Sequence, residues 1–120
     1  MFKLLGIRAY LRRQRKAGLI SSRIEKAAWS GLNRLIKEKR ELGIPSVRLE
    51  NGGKVEFAWY ENQDQLLLTV GPYGNDIHFG IDEFVRYDMG DPNIINATSL
   101  DFIATSMDDV LLELKRRSSY

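Results

Sequence analysis

The sequence predicts an α+β fold: two N-terminal helices, an antiparallel β-meander of about four strands and a C-terminal helix. Three observations carry this expectation. From Lys54 to Tyr60, Val55, Phe57 and Trp59 alternate with Glu56, Ala58 and Tyr60, the period of two expected of a strand buried on one face. After Glu61-Asn-Gln-Asp64 the same period resumes, with Leu66, Leu68 and Val70 on one side, so the two runs read as a hairpin joined by a polar loop. Ahead of them, residues 22–42 space their apolar side chains as a helix does.

The first helix is expected over Phe2 to Ala17. Leu4, Ile7 and Leu11 form its packing stripe and Tyr10 widens it, while Arg8, Arg12 and Arg15 form a basic stripe alongside, with Arg13 and Lys16 further round. Gly18 is the expected stop, because glycine accepts a left-handed cap. Ser22-Arg-Ile-Glu25 reads as a capping box opening the second helix. Ile24, Ala28, Gly31, Leu35 and Leu42 line its buried stripe, flanked by Trp29, Leu32 and Ile36, and Gly43 with Pro45 closes it. The small residues Ala28 and Gly31 predict close approach by another element.

Ser46 to Glu50 reads as a short strand with Val47 and Leu49 inward, followed by Asn51-Gly-Gly53 turn chemistry. The Trp59 hairpin comes next, and Trp59 is expected to anchor the core beneath it. Gly71-Pro-Tyr-Gly-Asn-Asp76 reads as a glycine-rich turn. Ile77, Phe79 and Ile81 then alternate around His78, with Phe84 to Tyr87 extending that strand past a kink at Asp82-Glu83. Asp88 to Thr105 is the least patterned stretch: Gly90-Asp-Pro92 is a turn, and Leu100 to Ile103 fits a short strand or an apolar plug. The last helix starts at Ser106, with Asp108 and Asp109 in its first turn and Lys115, Arg116 and Arg117 in its last, complementing the helix dipole at both ends.

Composition bounds the function. The 120 residues suit one ordinary domain, with residues 1–18 readable as a basic extension and 21–120 as the body. Cysteine is absent, so disulfides, thiolate metal sites and cysteine nucleophiles are excluded, and a reducing cytoplasmic setting is expected. One histidine cannot make a His-rich zinc site, and no apolar run reaches the roughly 20 residues of a membrane span. Residues 1–44 hold twelve bases and three acids, a net of +9, whereas residues 45–120 hold six bases and thirteen acids, a net of −7. Opposed charges of this kind either join two halves of one molecule or present each sign to a partner.

No nucleophile elbow, phosphate loop or metal-ligand spacing is present in the sequence. His78 falls at an outward strand position, with no carboxylate set beside it in the sequence to orient it as a base. The expected partner-binding residues are Arg8, Arg12, Arg13, Arg15 and Lys16 on the first helix, Tyr60 and Tyr73 as aromatic surface around the sheet, and Glu83, Asp88 and Asp91 as an acidic group at one sheet end. That acidic group invites oxygen-ligated Mg²⁺ or Ca²⁺, but its spacing fits no established loop, so neither a metal nor a cofactor is expected.

Gly52-Gly53, Trp59, the run Leu66 to Val70 and Pro72-Tyr-Gly74 together resemble a diffuse group of small bacterial and phage-associated proteins that place a helix before a Gly-Gly/Trp β-meander. The likeness covers about the middle third of the chain. Trp59 lies one residue further from the glycines than in that pattern, and the Gly-Trp-Asp stretch often found before the long helix is missing. The resemblance implies a bacterial or phage source and no activity. The expectation is a non-enzymatic protein-binding module, such as an inhibitor, antitoxin or anti-defence (anti-CRISPR-like) factor. The alternative is a nucleic-acid-binding protein that uses the basic N-terminal helices. A homodimer is left open.

Overall fold

The computed structural model describes residues 2–61, 64–88 and 95–118, and the side chains of 4–60, 65–83 and 102–116. Its elements run α1 (Phe2–Lys16), α2 (Ser22–Glu38), a 3₁₀ turn (Arg40–Leu42), β1 (Ser46–Glu50), β2 (Lys54–Glu61), β3 (Asp64–Tyr73), β4 (Asp76–Asp88), β5 (Ile95–Ala104) and α3 (Met107–Ser118). This is the α+β arrangement expected, with one strand more than the sequence suggested. The sheet is antiparallel throughout, in the order β1-β2-β3-β4-β5. Each strand therefore lies beside its sequence neighbour, as a meander requires.

The register places the inward residues in rows. Val47 pairs with Phe57 and Leu49 with Val55. Val55, Phe57 and Trp59 face Val70, Leu68 and Leu66 across β3, and Val70 and Leu68 face Phe79 and Ile81 across β4. Those rows join Ile24, Ala28, Leu32 and Leu35 of α2, and Met107, Val110 and Leu114 of α3, in one core. Ile7 and Leu11 of α1 enter the same core, so the basic first helix packs on the body through its apolar stripe. Covering one face of an antiparallel sheet with helices leaves the other face to solvent.

Local chemistry sets the helix ends. The Leu19 N–H reaches the Gln14 carbonyl at 3.0 Å and the Gly18 N–H reaches that of Arg15 at 3.0 Å. With Gly18 at φ +79° this is a Schellman close. The cap of α2 lies one residue before the expected one: Ser21 Oγ accepts from the Ile24 N–H at 3.1 Å. Only Ser22 has a glutamate three residues on; with Ser21 as the cap that position is Ile24, so no capping box forms, and Glu25 pairs with Arg15 of α1 instead. α2 also ends earlier than expected, at Glu38, and the 3₁₀ turn carries the chain on to Gly43 at φ +73°.

Gly31 marks the close approach that its size implied. A Cβ there would lie 3.3 Å from Met107 Sδ and 3.4 Å from Phe79 Cε1, so α3 and β4 both press on α2 at this point. Trp59 is 6% exposed, and its Nε1–H donates to the Gly43 carbonyl at 3.1 Å. The ring thereby ties the end of the helical segment to the central sheet.

Three strand expectations are corrected. Gly71-Pro-Tyr73 is strand, and the turn is only Gly74-Asn75. β4 passes Asp82-Glu83 without interruption. Residues 95–104 form a full edge strand rather than a short strand or plug. The Gly90-Asp-Pro92 turn lies outside the described residues.

Candidate functional site

Two surfaces carry chemistry, one on α1 and one on the open face of the sheet. On α1 the basic residues divide by what they touch. The Arg8 guanidinium stands 5.7 Å from the centroid of Trp29, a cation–π approach, and Arg15 pairs with Glu25. Both therefore turn towards α2. Arg12, Arg13 and Lys16 are exposed and have no acidic side chain within ion-pair reach among the described residues. Leu5, Arg8, Ala9, Arg12, Arg13 and Lys16 line a shallow depression of about 410 Å³, and Leu5 is 54% exposed. The free part of the helix is thus apolar as well as cationic.

Arg34 of α2 pairs with Asp108 at the start of α3, whereas Arg15–Glu25, Arg48–Glu50 and Arg48–Glu56 stay within their own halves. Among the described residues these pairs leave Arg12, Arg13 and Lys16 of α1 without an acidic side chain in ion-pair reach.

Of the expected acidic group Glu83, Asp88 and Asp91, only the Glu83 side chain is among the described residues. Glu83 is half-buried on β4 and in register with Leu66. Asp88 ends the same strand, five residues and roughly 17 Å further along. The Asp88 side chain and the whole of Asp91 lie outside the described residues. Among the described residues, no group of three or more His, Cys, Asp or Glu is placed to hold a metal ion, and no helix is long and apolar enough to cross a membrane.

On the open face, register and alternation bring Lys54 of β2, Thr69, Gly71 and Tyr73 of β3, and His78, Gly80 and Asp82 of β4 around one groove of about 290 Å³. The two-residue turn at Gly74-Asn75 sets Tyr73 diagonally across from His78. Their rings stack with centroids 4.0 Å apart and planes inclined by 14°. A Cβ at Gly71 would lie 2.5 Å from Lys54 Cγ, so the lysine stem lies across bare backbone. Tyr60, also on this face, is exposed near the other end of β2, away from the groove. The stack was legible only through the turn: Gly-Asn is two-residue hairpin chemistry, and reading it so fixes the Tyr73–His78 diagonal.

Glu56 is the feature that the sequence least announced. It is 7% exposed on a face without helices, and its carboxylate accepts from Arg48 Nε at 2.9 Å. Burial pushes its pKa above the ordinary carboxylate value; the Arg48 hydrogen bond opposes that, and neighbouring Glu50 adds to it. The same pairing raises the Arg48 pKa, first through its hydrogen bond to Glu56 and then through the charges of Glu56 and Glu50. The trio is a polar brace across β1 and β2. No protein-family model, curated protein or solved structure matches the chain.

Proposed function

We propose that this chain is a non-enzymatic protein-binding module, of the kind that serves bacteria or phage as an inhibitor, antitoxin or anti-defence factor. It engages an acidic partner surface through α1. The observation that carries this reading is the set Arg12, Arg13 and Lys16, exposed and without intramolecular counter-charges among the described residues, around exposed Leu5 and Ala9. Cations steer association with an acidic partner, and apolar side chains among them give the contact a core that can exclude water. A phosphodiester backbone has no use for Leu5, which favours protein over nucleic acid at this helix.

The test is affinity capture from bacterial lysate with the wild-type chain and with a variant carrying Arg12→Glu, Arg13→Glu and Lys16→Glu. These three avoid the side chains that hold α1 to α2, so the fold is retained, as circular dichroism checks. A protein captured by wild type and lost by the variant, with affinity falling as salt rises, is the expected result. An identical set captured by both chains removes α1 from the interface. Tight, salt-dependent binding to duplex or single-stranded oligonucleotides that the variant loses replaces the protein partner with nucleic acid. A turnover abolished by His78→Ala overturns the non-enzymatic reading.

A further inference from the structure

The cleft between α1 and the start of α2 has a chemistry that docking on the outer side of α1 does not use. We propose that it binds a phosphate group, free or as the monoester of a small molecule, held between Arg12 of α1 and Lys26 of α2. Four bases line this cleft, Arg8, Arg12, Arg15 and Lys26, against one acid, Glu25, leaving a net of +3. Glu25 is engaged by Arg15, and the Arg8 guanidinium stands over Trp29. Arg12 and Lys26 are exposed and have no acidic side chain within ion-pair reach among the described residues. The volume of about 290 Å³ is near the lower bound for small-molecule sites, which suits a phosphate carrying little else.

The backbone adds to the cations. Ser22 is the first residue of α2 and lines the cleft, so the positive end of a 17-residue helix dipole lies there. Ser21 Oγ takes the Ile24 N–H and the Ser21 carbonyl takes that of Glu25, whereas the Ser22 and Arg23 N–H groups precede the first intrahelical bond. Buried Leu11 and half-buried Trp29 form a wall of low polarity, which concentrates the field of the bases in the cleft. A carboxylate has one charge and two oxygens for such a site. A phosphate monoester carries about −1.5 to −2 at pH 7 and three acceptor oxygens, enough to engage the Arg12 fork, the Lys26 ammonium and the helix start together. Its charge also offsets the mutual repulsion of the four bases. Lys26 lines the cleft and not the outer depression, Arg13 and Lys16 line the depression and not the cleft, and Arg8 and Arg12 line both.

The chain has two tryptophans, and they make a probe and its control. Trp29 lines the cleft, whereas Trp59 is bonded to Gly43, beyond the far end of α2. Their indole N–H resonances are followed by NMR while inorganic phosphate, phenyl phosphate or dimethyl phosphate is added at constant ionic strength. Phosphate and phenyl phosphate are expected to shift the Trp29 signal saturably and to leave that of Trp59 in place. Dimethyl phosphate, with one charge and two free oxygens, should act scarcely. Arg12→Gln and Lys26→Gln each weaken phosphate binding about tenfold or more, the scale of one lost hydrogen bond to a charged group. Arg13→Gln and Lys16→Gln leave it unchanged, and retained melting curves show that all four variants fold. Tighter binding of phenyl phosphate identifies a monoester as the source, and equal or weaker binding identifies free phosphate; both support the site. No saturable shift with either compound, a shift that dimethyl phosphate reproduces in full, binding unchanged in Arg12→Gln or in Lys26→Gln, or binding weakened equally by Arg13→Gln and Lys16→Gln overturns the proposal. Lys26→Gln should retain partner capture, and Arg13→Glu with Lys16→Glu should retain phosphate, so this site and the partner surface fail separately.

Discussion

Replacing Trp59 separates two contributions that the structure places on one side chain. A buried tryptophan removes about 150–250 Å² from water, which at roughly 25 cal/mol per Å² corresponds to about 4–6 kcal/mol as an upper figure. Large-to-small substitution of a buried aromatic costs about 3–5 kcal/mol in practice, and Trp59→Ala is expected in that range because the ring is 6% exposed and faces Leu66 across β3. Trp59→Phe keeps much of the apolar body and loses the Nε1–H that donates to Gly43. Gly43 is exposed, so water can take over its carbonyl, and the expected cost is about 1–2 kcal/mol. Urea unfolding followed by far-UV circular dichroism measures both, with m-values checked for constancy. A cost under about 1 kcal/mol for Trp59→Ala would refute the placement of the ring in the core. Equal costs for the two variants would shift the weight from packing to the hydrogen bond.

Two other perturbations test packing and charge. Gly31→Ala gains up to about 1 kcal/mol of helix propensity against a Cβ contact of 3.3 Å with the flexible Met107 side chain; near-neutral stability is expected. Gly31→Val should cost about 1–3 kcal/mol by overpacking, and thermal melts showing the two variants alike would remove the close approach of α3. For Glu56, the folded-state pKa is raised above the ordinary value of 4.5, so the folded chain holds the proton to higher pH than the unfolded chain. The stability attached to that proton is complete below the unfolded pKa and is lost as pH rises through the raised folded pKa. Glu56→Gln removes this loss, so its urea midpoint should gain on wild type with rising pH across that window; a difference that stays constant with pH would refute the assignment.

What the sequence made legible follows from how strongly each segment is buried. α2 and the β2–β3 hairpin carry their apolar residues in unbroken period, because the helical layer needs Ile24, Ala28 and Leu35 on one side and Phe57, Trp59 and Leu68 on the other. The extension of β3 through Gly71-Pro-Tyr73 was hidden because glycine and proline signal turns. Gly71 is nevertheless a strand residue whose missing Cβ admits Lys54. β5 was obscured for a different reason: it is an edge strand, paired along one side only, and polar residues interrupt its apolar ones. Charge runs were legible as composition, but not their division into engaged Arg8 and Arg15 and Arg12, Arg13 and Lys16, which have no ion-pair partner among the described residues. That division depends on where α2 presents Trp29 and Glu25, which local spacing on α1 does not encode.

The open sheet face lies apart from both helix-borne surfaces. A second apolar face would demand a second helical layer or a partner to cover it. Here the uncovered side carries the polar brace over β1 and β2, where Arg48 spans Glu50 and Glu56, and the Lys54 stem over Gly71 on β3. The brace covers only the β1–β2 part of this face, and Tyr60, Tyr73 and Ile103 stay exposed along the rest of it. The α1 cations sit across the sheet and the helical layer from it, without a shared side chain among the described residues. Substitutions at Tyr60, Tyr73 or Ile103 should therefore leave phosphate binding in the α1–α2 cleft and partner capture by α1 unchanged, as independence of well-separated sites requires; loss of either would refute the separation.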